Sequence, residues 1–284
     1  MEKKKIGVVG AGMMGAEIAF TFALAGHEVV LNDTNNESLD NALTRLMGIL
    51  DKGVSKGWYD EDKKTATLAN LSTTTDLKSF SDRQIIVEAV FEDKDVKGSI
   101  YRILDEVCLS DCIISSNTST LPITVLASFV KAERRPYFLG SHFFSPVSRM
   151  KLVEVIPGLE TSDETFDEMM ALCRHAEKEP IRVKDVAGFA VNRLLHAFFI
   201  EAVRLVEEEV ATPEDIDTAC RLGLGHPVGP FDLLDIVSSD LSLQVQEILQ
   251  GAYGQRFMPR PLMKQMVEAG YNGRKAGKGW RIKG

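Results

Sequence analysis

Three groups of residues in this chain have types and spacings that chemistry uses. The first is Gly10, Gly12 and Gly15, in GAGMMG, with Asp33 placed 18 residues after Gly15. Gly10 permits a tight turn, Gly12 lets a pyrophosphate approach the backbone, and Gly15 lets a helix pack close to a sheet. Asp33 lies near the distance at which a carboxylate binds the adenosine ribose hydroxyls, and it would repel a 2′-phosphate. The group therefore reads as a dinucleotide site that favours NAD over NADP. The second group is His142 and Glu154, twelve residues apart in two consecutive apolar, strand-like runs. If those strands pair, carboxylate and imidazole meet; such a partner fixes an imidazole's tautomer and stabilises its cation. Beside a nicotinamide, that arrangement removes the proton of an alcohol during hydride transfer. The third group is Asn117-Thr118-Ser119-Thr120, small polar residues just after a strand-like run. Ligands of open α/β sheets bind beyond the carboxyl ends of strands.

Each group has a plainer explanation. A glycine loop also occurs in kinases, but there it leads to another strand, whereas residues 13–25 read as a helix. A histidine in an apolar run is most often a satisfied core residue; position and the nearby Glu154 set His142 apart. Thr120 also suits the N-cap of a helix starting near Pro122.

The elements that must hold these groups follow from periodicity. β-branched residues 6–9, the helix, a second apolar run at 29–31 and Asp33 form a βαβ unit. Residues 36–50 and 60–69 read as two helices, with Asp60 or Glu61 near the second cap. They form an insertion carrying Lys52, Lys56, Lys63 and Lys64 around its turn. It is either a solvated helical hairpin or an arm that grips phosphate near a substrate. Runs at 85–90 and 113–115 flank a helix at 95–107, an alternation that predicts a parallel sheet. Strands are expected at 138–144, 151–156 and 181–183, with a helix over 161–179 starting near Ser162 or Asp163. After Gly188 the β signal disappears. Helices are expected over 189–209, 213–222, 230–249 and 261–269. The expected fold is therefore α/β: a Rossmann-like dinucleotide-binding domain with a helical insertion over 1–187, then an all-α domain over 188–284. A helical domain of this size often packs on its own copy, so a homodimer is the default.

Composition excludes other classes. Over 284 residues, 44% hydrophobic content supports a full core, and a net charge of −8 argues against general nucleic-acid binding. Cys108, Cys112, Cys173 and Cys220 lack zinc spacing, so no metal is expected; their scatter suits reduced thiols in a cytoplasmic protein. Lys3, Lys4 and Lys5 before an apolar run imitate a signal peptide, but the glycine loop explains that run better. No apolar run is long enough to span a membrane.

Taken together, several long motifs resemble the L-3-hydroxyacyl-CoA dehydrogenase family, above all its short bacterial members that act as 3-hydroxybutyryl-CoA dehydrogenases. The resemblance covers essentially the whole chain. It rests on GAGMMG with Asp33, VEAVFEDKDVK, SNTSTL, HFFSPVSRMKLVEVIPG, GFAVNRLL, GHPVGPFDLLD and GRKAGKGW. It implies reversible NAD-linked oxidation of a 3-hydroxyacyl-CoA. His142 would be the general base, Glu154 its orienting partner, and Ser119 a hydrogen-bond partner of the substrate oxygen. Asn192 would position the substrate carbonyl. Glu92, Lys97, Ser119, Ser145, Lys275 and the loop residues Met13 and Met14 would contact the cofactor, and Lys56 would lie near coenzyme A. Two positions depart from the family. Ser145 stands where Asn is frequent, although some larger multifunctional members also use Ser, and Ile49 stands where a polar residue near coenzyme A is expected. Two rival readings remain: a relative acting on another hydroxy substrate, such as carnitine or a sugar acid, and a non-catalytic dinucleotide-binding structural protein.

Overall fold

The computed structural model describes residues 2–282, which divide between Val186 and Ala187 into two compact units. The first unit alternates strand and helix. Its elements begin with β1 (Lys5–Val9), α1 (Met13–Leu24), β2 (Glu28–Asn32), α2 (Asn36–Ser55), α3 (Glu61–Ala69) and β3 (Leu71–Thr74). There follow β4 (Ile85–Glu88), α4 (Lys94–Val107), β5 (Ile113–Ser116), α5 (Ile123–Ala127), β6 (Phe138–Phe143), β7 (Leu152–Pro157), α6 (Asp163–His175) and β8 (Glu179–Arg182).

The strands form one sheet in the order β3-β2-β1-β4-β5-β6-β7-β8. The chain leaves β1 for β2 on one side and returns to β4 on the other, so β1/β4 is the switch point where such sheets bind ligands. The central strands are apolar because helices cover both faces; β4, β5 and β6 are buried along their whole length. The expected parallel sheet is parallel at every pairing but one. The strands β6 and β7 run antiparallel, joined by a short loop, and their register sets His142 opposite Glu154. A direct pairing of neighbours in sequence needs no crossover helix, and this exception is what brings the two residues together.

Local signals explain most element ends. Asp60 caps α3 by accepting Lys63 N at 2.7 Å, and Ser162 caps α6 by accepting Thr165 N at 3.2 Å. Two expectations for this unit need correction, and one strand was not expected. The helix expected to run to Glu179 stops at His175; Glu177 adopts φ 57°, reversing the chain into β8. Thr120 does not cap the helix after Pro122. Asp185, some sixty residues on, accepts Ile123 N at 2.9 Å and Thr124 N at 2.8 Å instead. The edge strand β3 has no expectation behind it, because its LSTT sequence is short and mostly polar.

The second unit is helical: α7 (Val191–Glu207), α8 (Pro213–Gly223), α9 (Pro230–Val237), α10 (Ser239–Tyr253) and α11 (Pro261–Glu268). The single helix expected over 230–249 is two helices, broken where Ser238 takes φ 91°. Asp217, fully buried on α8, supplies the cap that Gly229 cannot, accepting Phe231 N at 2.8 Å and Asp232 N at 3.1 Å. A Cβ on Gly229 would strike Asp217, so this position needs glycine. Asp235 accepts Trp280 N at 2.9 Å and Arg281 N at 2.8 Å, tying down the C-terminal segment.

Candidate active site

The glycine loop lies between β1 and α1. Gly10 has φ +100°, in the region that favours glycine, and a Cβ on Gly15 would run into the Gly10 carbonyl. A Cβ on Gly12 would meet nothing within 4 Å, so the backbone there is open to a ligand. Asp33, just past β2, accepts Ala11 N at 2.7 Å through one oxygen and Thr34 N at 2.7 Å through the other. The acid is thus fixed against the loop. Met13 is exposed, and Ser145 Oγ reaches its sulfur at 3.6 Å, while Met14 packs on the core. An open backbone at the start of a helix, with an anchored acid beside it, fits the pyrophosphate and adenosine ribose of a dinucleotide.

Beyond β5 and β6 the other two groups converge. His142 Nδ1 lies 2.8 Å from Glu154 Oε2, and His142 Nε2 lies 3.0 Å from Ser119 Oγ. Glu154 is fully buried and His142 is only 6% exposed. A carboxylate only accepts, so Nδ1 carries the proton and Nε2 is left as acceptor toward Ser119. The Phe144 ring packs on the imidazole, with centroids 4.6 Å apart. Asn117 Oδ1 accepts Phe143 N at 2.9 Å, lacing the Ser119 loop to the end of β6.

A Ser–His–Glu line also suggests nucleophilic acyl transfer, and the loop amides argue against it. Ser119 N and Thr120 N both donate to Glu92 Oε1 at 2.8 Å, so neither is available to an oxyanion. Glu92 also accepts from the Thr118 and Thr120 hydroxyls at 2.5 and 2.9 Å. Loss of water around Glu92 opposes its charge, but the Lys97 ammonium and these hydrogen bonds outweigh that and hold its carboxyl below the usual range.

Beneath the loop is an ion pair with no counterpart among the sequence expectations. Lys97 is 1% exposed, and its Nζ lies 2.6 Å from Glu88 Oε1 and 3.4 Å from Glu92 Oε2. Glu88 also accepts from Val90 N at 2.7 Å, Ser116 Oγ at 2.8 Å and the Tyr101 hydroxyl. Burial first, and then the Glu88 charge, raise the Tyr101 hydroxyl well above its ordinary value. Lys97 therefore spends its ammonium inside the domain, one step from the partly exposed Glu92 and not in the direct cofactor contact that the resemblance implied. The signal was available: Glu88 closes an otherwise apolar strand, and Lys97 follows in the first turn of the next helix.

The remaining candidates lie elsewhere. Lys56 is exposed at the end of α2, its ammonium 5.1 Å from the centre of the Trp58 ring. Ile49 packs against the core from α2. Asn192 is half-buried in the first turn of α7, and Lys275 is exposed in the short turn Arg274–Ala276, both in the second unit. Arg45 was not anticipated; its guanidinium donates to Gly12 O at 3.1 Å. All four cysteines are buried free thiols, and no cluster of metal-ligating side chains occurs among the described residues. No helix of the described residues is long and apolar enough to cross a membrane.

Comparison with known proteins agrees with this geometry. Residues 5–186 match the NAD-binding domain of 3-hydroxyacyl-CoA dehydrogenase, and residues 188–282 match its C-terminal domain. The chain is 40% identical to a 3-hydroxybutyryl-CoA dehydrogenase of Clostridioides difficile, covering 95% of this chain and 96% of that one. It is also 40% identical to the mitochondrial hydroxyacyl-coenzyme A dehydrogenase of Rattus norvegicus, covering 98% and 90%. The crystal structure of (S)-3-hydroxybutyryl-CoA dehydrogenase from Ralstonia eutropha superposes with a TM-score of 0.96 at 37% identity, covering all of both chains. A glycine loop with an anchored acid, a buried Ser119–His142–Glu154 line and two family domains in order lead to one conclusion: the chain belongs to the 3-hydroxyacyl-CoA dehydrogenase family and is an NAD-dependent oxidoreductase.

Proposed function

We propose that the substrate is a short (S)-3-hydroxyacyl-CoA, 3-hydroxybutyryl-CoA in the first place, and that His142 and Glu154 perform the proton transfer. The observation that carries this is the line Ser119–His142–Glu154, at 3.0 and 2.8 Å, beyond the strand ends of an NAD-binding domain. Bound NAD supplies the acceptor for the hydride leaving C3. The 3-hydroxyl enters beside Ser119 and meets both Oγ and the unprotonated Nε2 of His142. The imidazole takes the hydroxyl proton, and Glu154 balances the charge that forms; in the reverse direction the same proton is returned. Glu92 and Lys97 keep the Ser119 loop in register. Ser145 and Met13 flank the cofactor's path, Lys275 adds a cofactor contact, and Asn192 and Lys56 act on the acyl-CoA. Exposed Leu194, Leu222 and Leu224 of the helical unit support a homodimer through that unit.

The test is steady-state turnover at 340 nm. 3-Hydroxybutyryl-CoA with NAD should be oxidised readily, free 3-hydroxybutyrate and NADP poorly, by a species of twice the 31.4 kDa chain mass in light scattering. Equal use of the free acid would move the enzyme to another hydroxy substrate.

A further inference from the structure

Two charged side chains bond the backbone of the glycine loop, Asp33 through Ala11 N and Arg45 through Gly12 O. The acid was expected there and the arginine was not. Arg45 stands near the middle of α2, and its guanidinium donates to Gly12 O at 3.1 Å. Leu39, Ala42 and Leu46 bury one face of α2 in the core that α1 shares. Arg45 immediately precedes Leu46, so it rises at the edge of that face and reaches across to the loop.

Pairing within the protein does not account for the arginine. Its side chain is exposed, and no acid stands three or four residues away on α2, where the neighbours are Asn41, Ala42, Gly48 and Ile49. It pairs with no carboxylate among the described residues. Gly12 O also accepts Ala16 N at 3.1 Å, the first helical bond of α1, so the arginine sits at the very start of that helix. A guanidinium has five N–H donors in a rigid fork. The bond to Gly12 O fixes the fork beside the loop and leaves most of its donors open.

The loop itself calls for a cation here. Gly12 is exposed, and a Cβ there would meet nothing within 4 Å. No side chain caps α1 and its first turn holds no acid, which leaves the first N–H groups of the helix to an external acceptor. A dinucleotide brings a doubly charged diphosphate to this place. Asp33, fastened to the neighbouring Ala11 N, repels it. A guanidinium on Gly12 O offsets that repulsion and matches phosphate oxygens in a fork. We infer that Arg45 is a cofactor-binding residue, whose guanidinium, anchored on Gly12 O, pairs with the diphosphate of NAD. The assignment rests on the NAD-binding domain and is independent of which hydroxyacyl group the enzyme oxidises.

Titration of NADH fluorescence with no acyl substrate present reads this contact without turnover. Arg45→Gln should raise the Kd for NADH about fivefold to tenfold at low ionic strength, and less at about 0.3 M salt, where exposed charges are screened. Arg45→Lys should recover part of the loss, because it returns the charge without the fork. An unchanged Kd, or a loss equal at both salt levels, overturns the assignment. Competitors of NADH separate the diphosphate from its surroundings. ADP should weaken in Arg45→Gln by the same factor as NADH, while adenosine, with base and ribose but no phosphate, keeps its affinity. Equal weakening of both would mean that the arginine only shapes the loop. NADPH should weaken in step with NADH. A loss confined to NADPH would move the arginine to the 2′-phosphate, and a loss confined to free coenzyme A would move it to the substrate; either result rejects the pairing with the diphosphate.

Discussion

His142 on β6 is 6% exposed and His196 on α7 is 3% exposed, so burial does not distinguish them. Their partners do. The ring nitrogens of His142 meet Glu154 and Ser119 at 2.8 and 3.0 Å. Nδ1 of His196 has no hydrogen-bond partner among the described residues, and its ring packs edge-on against Phe199 at 5.6 Å. Burial alone pushes His196 down to about 4, leaving it neutral throughout the physiological range. A buried imidazole without an opposing charge is an apolar filler; one with a carboxylate on one nitrogen and a hydroxyl on the other has the surroundings that the proposed base needs. The largest effect expected from this contrast is on rate. His142→Gln should lower kcat by about 10²–10⁴-fold while NADH binding, read by fluorescence titration, is retained. His196→Leu should leave kcat at pH 7.5 within about twofold. A His142→Gln enzyme that kept its kcat would remove the base from its assigned role.

A smaller effect tests whether the carboxylate is what makes the difference. Glu154→Gln keeps the shape and loses the charge. Its amide can donate to Nδ1 and thereby place the proton on Nε2, the wrong nitrogen for taking a hydroxyl proton. We expect a loss of about a hundredfold in kcat, the lower end for an acid–base contribution, with an altered pH–rate profile. The pair is also buried, so stability should be measured alongside by denaturant unfolding. An unchanged profile with an unchanged rate would mean that Glu154 serves packing only.

The contrast between these histidines was only partly legible in the sequence. Apolar context is the same for both: His142 sits in FLGSHFF and His196 in NRLLHAFFI. What set His142 apart was a second strand-like run with an acid twelve residues on, and that inference depended on the two strands being neighbours. The glycine loop and Asp33 were legible because each residue there answers a local steric or charge demand. The support for Ser119 was not, because Glu88, Lys97, Glu92 and the loop meet only through strand order β4-β5-β6. The same applies to Asp185 at the start of α5 and Asp217 at the start of α9: caps supplied from distant sequence leave no N-cap pattern to read. The break at Ser238 is of a third kind. A single residue at positive φ interrupts an apolar periodicity that otherwise runs on through α9 and α10.

The smallest effect expected is thermodynamic and belongs to His196. Its folded value of about 4 lies below the unfolded value of 6.5, so between them the native state binds fewer protons than the unfolded chain. The contribution is therefore fully present above pH 6.5 and is lost progressively as pH falls through that window toward 4. By pH 5.5 the loss is about 1.4 kcal/mol relative to pH 8, from the linkage relation. His27 is also lowered to about 4, by burial first and by His175 next, and adds to acid sensitivity in the same range. Urea unfolding of the parent and of His196→Leu at pH 8 and 5.5 isolates the helical unit's share, since His27 is present in both. Leucine also changes packing, so the decisive quantity is the difference between the two pH values rather than either stability alone. The parent should lose about 1.4 kcal/mol more than the variant between pH 8 and 5.5. Equal losses would mean that His196 finds a proton acceptor in solution, and that the contrast with His142 is one of position rather than of partner.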